Sequence, residues 1–270
     1  MRSVRHRHHL PSLLLMLCGL ASLGATAPAR SEDQDSFAIG WERIGHAARN
    51  AALAPRIWVP LLGALILQTG DADRRLQSWA AEHTPLFGSR ANADRISDDL
   101  KFAANGIWIA SAVVPWQGDE DGSWLSRKTP VLLVQAGATM VTSVTVGALK
   151  DGTARMRPNG EGATSFPSDH ASRVGLHTAM TRSNLAQLGW SDSATTQASV
   201  GLDTLNALTA WARVEANQHY PSDVLAGMAL GNFIGVLFTD AFLSPADSQR
   251  VQVEVQPTRD RLQIMVQWGF

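Results

Sequence analysis

Between Lys128 and Lys150 the chain runs from Thr129 to Leu149, 21 residues, without a charge. A run of that length folds as the central helix of a bundle or as a span of a bilayer. Pro130 suits the start of such a helix, because its missing N–H is one of the unpaired ones there. Val224–Leu243 is a second long apolar segment, interrupted by Asp240. The neighbouring helical segments are different. Ser168–Leu188 carries Asp169, His170, Arg173, His177 and Arg182, and Leu202–Asn217 carries Asp203, Arg213 and Glu215. Charges are costly in hydrocarbon, so the expectation favours a soluble or membrane-associated body over a spanning one.

The rest of the chain reads as a mixture of helices, loops and a strand-like tail. Residues 30–50 are mixed and polar, a loose start or a short first helix. Ile57–Gln68 is an apolar run broken by Pro60, and Asp71–Ala81 is amphipathic, ending near His83-Thr84-Pro85. Ser97–Trp116 begins polar and turns apolar, with Ser97 as its expected cap. Gly118–Lys128 reads as a loop, and Asp151–Pro167, with three glycines and two prolines, as a longer one. Three more helices are expected over Ser168–Leu188, Thr196–Asn217 and Pro221–Leu243. The predicted class is all-α, a helical bundle of about six core helices spanning residues 30–245. In the tail, residues 250–270, two stretches of period-two alternation flank Pro257-Thr258-Arg259-Asp260, which predicts a short β-hairpin.

The N-terminus has the pattern of an export signal. Arg2, Arg5 and Arg7 precede the apolar stretch Leu10–Leu23, and small residues follow as far as Ala29. A signal peptide over residues 1–29 and a periplasmic or exported mature chain are therefore expected. Its removal takes away three arginines and Cys18, the single cysteine, leaving 20 basic against 24 acidic residues. Such a chain forms no disulfide and offers no thiol nucleophile or thiolate metal site. The charge balance gives no basic bias toward nucleic acid.

Three polar clusters fall inside the bundle segment, and each has a structural and a chemical reading. In Lys150-Asp-Gly-Thr-Ala-Arg-Met-Arg157-Pro158, Lys150 either closes a helix dipole or meets an anion. Arg157 has no obvious partner. In Phe166-Pro167-Ser168-Asp169-His170, Ser168 is either an N-cap or part of an anion site at a helix N-terminus. His170 is either a packed residue or the rim of that site. In Arg213-Val-Glu-Ala-Asn-Gln-His219-Tyr-Pro-Ser-Asp223, Arg213 interrupts an apolar stretch and needs a partner or a polar pocket. His219 and Asp223 are four apart, an ion pair on a helix face or a nucleophile with the carboxylate that orients it. Gly227, Gly231 and Gly235 form a smooth stripe on the last helix, fit for close helix packing.

Together, Lys-x6-Arg-Pro, Pro-Ser-x-His and Arg-x5-His-x3-Asp resemble the signature of the type 2 phosphatidic acid phosphatase superfamily. That superfamily includes bacterial acid phosphatases, lipid phosphate phosphatases and vanadium haloperoxidases. The resemblance implies a phosphate held by Lys150, Arg157, Ser168 and Arg213, with Asp169 beside them. It implies that His219 attacks phosphorus, that Asp223 orients it, and that His170 protonates the leaving oxygen and then activates water. No cofactor or metal is implied, and the partner is a phosphorylated small molecule or lipid. Two positions depart from the commonest form. Asp169 stands for a glycine, which some branches acting on polyprenyl diphosphates share, and Ala212 stands for a serine. The competing readings are a vanadium-dependent haloperoxidase and a non-catalytic envelope lipid-binding protein with a vestigial pocket.

Overall fold

The computed structural model describes residues 32–114, 124–243, 251–258 and 261–268. The expected signal segment, with Cys18, lies outside the described residues, as does the first part of the expected 118–128 loop. Eight helices are described: α1 (Glu32–Leu53), α2 (Pro55–Leu67), α3 (Ala72–His83), α4 (Arg90–Val113), α5 (Trp124–Thr153), α6 (Asp169–Ala186), α7 (Asp192–Glu215) and α8 (Pro221–Phe242). The described body before residue 244 is all-α. Two strands, β1 (Val251–Thr258) and β2 (Arg261–Trp268), pair antiparallel with Val251 opposite Trp268. Residues His46–Gly269 make one compact unit. Met1–Gly45 and Phe270 make another, whose described part is the first length of α1.

Helices α6 and α8 form the centre. The glycine stripe of α8 lies against α6 at backbone distance. A Cβ on Gly231 would stand 1.9 Å from the carbonyl oxygen of Ser172, one on Gly227 2.7 Å from that of Ser168, and one on Gly235 2.7 Å from Ala179 Cβ. No side chain fits there, so the stripe serves close packing within the chain. Around this seam α4, α5 and α7 pack on α6, while α2, α3, α5 and α7 pack on α8. Ala80, Ala171, Ala210, Val214 and Val224 bury one apolar layer, and Ala138, Leu176, Met180 and Ile234 another. The small residues keep helix axes near and leave polar side chains to fill the space between them.

Three helices, α4, α5 and α7, begin earlier than the sequence reading expects, α7 at Asp192 and not Thr196. α4 starts at Arg90, where Ser89 Oγ accepts from Asn92 N at 3.1 Å. Ser97 is not a cap. It is fully buried, and its hydroxyl donates to the Asp94 carbonyl and accepts from Arg213. The polar half of α4 reads as a helix start, yet Asp94 and Asp98 in it are partners of Arg213 and His170. α5 starts at Trp124, so Pro130 lies inside the helix and 124–128 are helical, not loop. At the other end α5 continues through Thr153, past the expected stop at Leu149.

Two helical stretches are long and apolar enough to cross a membrane, Arg127–Thr153 and Pro221–Phe242. Large apolar side chains are exposed in rows. They are Trp58, Val59, Leu62 and Ile66 on α2, Leu133, Met140, Val141 and Val144 on α5, and Phe102, Ile107 and Ile109 on α4. The charges of α6 and α7 that weigh against hydrocarbon are paired: Asp169 with Arg173, Arg182 with Asp203, and Arg213 with Asp94. Pairing lowers the cost of ionisable groups near an apolar surround. These features suggest association with a membrane.

Candidate active site

His219 follows α7 and precedes α8, and 1 % of its surface is exposed. Its backbone N–H donates to the Arg213 carbonyl at 3.3 Å, and the Gln218 N–H donates to the same oxygen at 3.1 Å, folding the chain sharply at the end of α7. Asn217 at this turn has φ 60°. The ring Nδ1 lies 2.7 Å from the carbonyl oxygen of Ser165. A carbonyl only accepts, so Nδ1 carries the proton and Nε2 keeps its lone pair. Burial holds the imidazole below its usual pKa, with Asp223 opposing. The ring is therefore neutral at ordinary pH.

Asp223 is fully buried in the first turn of α8. Its nearer oxygen is 3.9 Å from His219 Nδ1, too far for a hydrogen bond. Oδ2 instead accepts from the Ser165 hydroxyl at 2.6 Å and from Tyr220 N at 2.9 Å. The carboxylate thus reaches the histidine chiefly through Ser165, whose hydroxyl it holds and whose carbonyl holds the ring.

The three cations expected around the anion meet on the same segments. Lys150 Nζ donates to the Thr164 carbonyl at 2.8 Å, and Arg157 Nε to the Thr164 hydroxyl at 3.3 Å. Arg157 Nη1 donates to Gln218 Oε1 at 2.5 Å, next to His219 in the chain. Arg213, 5 % exposed, donates through Nη1 to Asp94 Oδ1 and to Ser97 Oγ, 3.1 Å away. Lys150 and His219 both lie within electrostatic range of Arg157 and Arg213.

Ser168 occupies the N-cap position of α6 but its side chain caps nothing. It is fully buried, and its Oγ has no hydrogen-bond partner. Its N–H donates to the Asp223 carbonyl at 3.1 Å, which ties the start of α6 to the start of α8. The first turn of α6 presents unpaired backbone N–H groups beside this hydroxyl, as a helix start must. Asp169 turns its carboxylate along its own helix to Arg173 Nε, at 3.0 and 2.9 Å.

His170 stands at an edge. Its Nε2 is 2.7 Å from Asp98 Oδ1 and 3.0 Å from Lys101 Nζ, and Lys101 and Asp98 are themselves paired at 3.0 Å. The ring pKa is lowered to about 4, by burial first and then by Arg213, with Asp98 pulling it up.

The structure therefore brings His219, Arg157, Arg213 and the α6 start onto connected segments, and adds residues that the sequence patterns do not single out. Asp94 and Gln218 hold the two arginines, and Asp98 and Lys101 meet His170. Ser165 holds His219. Arg155 and Asp73 grip the Asp223 carboxylate and Ser222. The scarcity of lysine was a usable signal, since Lys101 and Lys150 are two of only three in the chain. A backbone carbonyl partner such as that of Ser165 leaves no mark in a sequence.

Residues 131–244 match the PAP2 superfamily. The family resemblance carried by the motifs is thereby shown, over the segment that holds all three. A similar solved structure is that of a transmembrane PAP2-type phosphatidylglycerolphosphate phosphatase from Bacillus subtilis. It shares 18% identity over 84% of this chain and 92% of that chain, with a TM-score of 0.38. No curated protein matches this chain.

Proposed function

We propose that this protein is a membrane-associated, exported phosphatase that hydrolyses phosphomonoesters or lipid phosphates through a phosphohistidine at His219. The observation that carries the reading is the state of His219. It is a sealed, neutral imidazole with the proton fixed on Nδ1 by a carbonyl; its backbone N–H is held by the Arg213 carbonyl, and Arg157 is bonded to the adjacent Gln218.

In this reading Nε2 attacks phosphorus and the P–O bond to the leaving group breaks in line. Lys150, Arg157, Arg213, the Ser168 hydroxyl and the α6 N–H groups hold the non-bridging oxygens and stabilise the transition-state charge. Nδ1 keeps its proton, and the cationic phosphohistidine is stabilised through Ser165 by the buried Asp223. His170 gives its proton to the leaving oxygen. It then takes one from water, which attacks phosphorus and frees His219. The unpartnered Ser168 hydroxyl supports the cradle, because a buried hydroxyl normally finds a partner and an incoming oxyanion would supply one. The exposed apolar rows on α2, α4 and α5 support a lipid substrate presented at a membrane.

The test is a substrate panel on the purified protein in chelator: 4-nitrophenyl phosphate, phosphatidic acid, phosphatidylglycerol phosphate and a polyprenyl diphosphate. Turnover of at least one, with acid-labile phosphate trapped on the protein and lost in His219→Ala, is expected. Full activity in His219→Ala would sink the reading.

A further inference from the structure

Arg155 lies between the two ends of the Lys-x6-Arg-Pro spacing and is not one of its fixed positions. Its guanidinium is shared by two buried carboxylates. Nη1 is 2.6 Å from Asp223 Oδ1, and Nη2 is 2.7 Å from Asp73 Oδ2. Nη1 also donates to Ser222 Oγ at 2.8 Å, and the group lies over the Tyr220 ring, 4.2 Å from its centroid. From the opposite side Asp73, on α3, accepts from Ser222 N at 2.8 Å and from its hydroxyl. Three of the four residues that follow His219 are thus held by one arginine and one aspartate.

A buried ion pair alone is weak grounds for a role, since desolvation offsets much of its attraction. The division of the Asp223 oxygens is what points further. Arg155 takes Oδ1, which turns Oδ2 to the Ser165 hydroxyl and Tyr220 N, and the Ser165 carbonyl holds the His219 proton. The contacts run in series as Asp73, Arg155, Asp223, Ser165, His219. Without the guanidinium, Asp223 would be a sealed anion 3.9 Å from an imidazole N–H and able to draw that ring off the Ser165 carbonyl.

We propose that Arg155, braced by Asp73, is a positioning residue for the nucleophile: it sets the Asp223 carboxylate, and through Ser165 the orientation and tautomer of His219. The role rests on His219 being the attacking group. Arg155 itself makes no contact with the phosphate.

The experiment compares Arg155→Met, Arg155→Lys and Asp73→Asn with the unaltered protein, using 4-nitrophenyl phosphate and rapid-quench trapping of the phosphoenzyme. Arg155→Met should slow phosphoenzyme formation and kcat on the order of 10²-fold, the scale of a small misplacement of a reacting group. KM and inhibition by inorganic phosphate should stay near their starting values, because Lys150, Arg157 and Arg213 are untouched. Arg155→Lys should recover part of the loss, since an ammonium reaches one carboxylate but cannot fork across two. Adding Arg155→Met to Asp223→Asn should cost nothing further. A rise in KM with kcat unchanged, multiplied losses in the double variant, or full activity in Arg155→Met would each overturn the proposal. Should Arg155→Met not fold, Arg155→Lys and Asp73→Asn carry the same kcat test. Imidazole ¹⁵N shifts of His219 read the tautomer without turnover. A tautomer unchanged in every folded variant also refutes the role, whether or not the phosphatase reading stands.

Discussion

The two histidines of the proposed site sit in opposite surroundings. His219 is sealed, and its ring is held by a backbone carbonyl that neither pH nor a side-chain rotation can alter. His170 touches Asp98 and Lys101, and the Asp98 side chain is 59% exposed. One histidine is fixed by the fold and the other is tuned by two side chains at the edge. A nucleophile gains from an invariant geometry. A proton donor needs a pKa that suits its leaving group, and the edge contacts are where that can vary.

The largest test of this contrast removes each ring in turn. His219→Ala should lower kcat by at least ~10⁴-fold on every phosphate ester, as losing a nucleophile does. His170→Ala should cost ~10²–10⁴-fold on an alkyl phosphate and far less on 4-nitrophenyl phosphate, whose leaving group needs no proton. Equal losses on both esters would break the assignment of His170 as the acid. Next in size, Arg213→Ala should cost ~10²–10³-fold in kcat, the usual worth of one oxyanion donor. The Asp94 contact predicts a smaller loss of the same kind for Asp94→Ala.

Gly231→Ala probes the frame that carries both rings. A Cβ there meets the Ser172 carbonyl at 1.9 Å, so α6 and α8 must part. A loss of ~1–3 kcal/mol or more is expected from overpacking, read by denaturant unfolding. At the edge, Asp98→Asn removes an interaction that raises the His170 pKa. The free-enzyme acid should then lose its proton at lower pH, moving the alkaline limb of kcat/KM downward, while a sealed His219 gives Asp98→Asn no route to shift the limb it controls.

The smallest effect concerns His177, which is stacked on Trp108 with rings 4.7 Å apart and neither nitrogen bonded. Burial lowers its pKa to about 4 from 6.5. The unfolded chain takes up a proton as pH falls through 6.5 and the folded one only near 4, so stability is lost across that window. His177→Phe keeps the stack and should flatten the acid-side fall by ~1 kcal/mol or more, measured as unfolding midpoints at pH 7 and pH 4.5.

Much of this arrangement is legible in the sequence, and the illegible part has a physical pattern. α3, α6, α7 and α8 follow from apolar periodicity, prolines and caps, and the motif positions stand out by spacing, whereas α2 reads only as an apolar run broken by Pro60. The start of α4 does not follow, because Asp94, Asp98 and Lys101 look like the polar beginning of a helix, whereas they lie within it, half-buried or exposed, and bond to Arg213 and His170. Asp73 reads as an ordinary first-turn acid on an amphipathic helix, yet it is 4% exposed and bonded to Ser222 across 149 residues. Partners that act through backbone groups or over long separations have no local signature. The Asp223–His219 spacing suggests a direct pair, whereas Ser165 stands between them.

The glycine seam also decides how the pocket can be entered. Two helices in backbone contact cannot slide or spread like a pair separated by interlocked side chains, since their atoms are already touching. In the proposed mechanism, the acid His170 on α6 and the nucleophile His219 before α8 would therefore keep a constant separation. In that mechanism, traffic of substrate and phosphate would be left to the other walls: the first turns of α4, with the exposed Asp98 beside the half-buried Lys101, and the loop of residues 154–168. This is a pocket with a welded spine, and its doors are where the sequence is free to change.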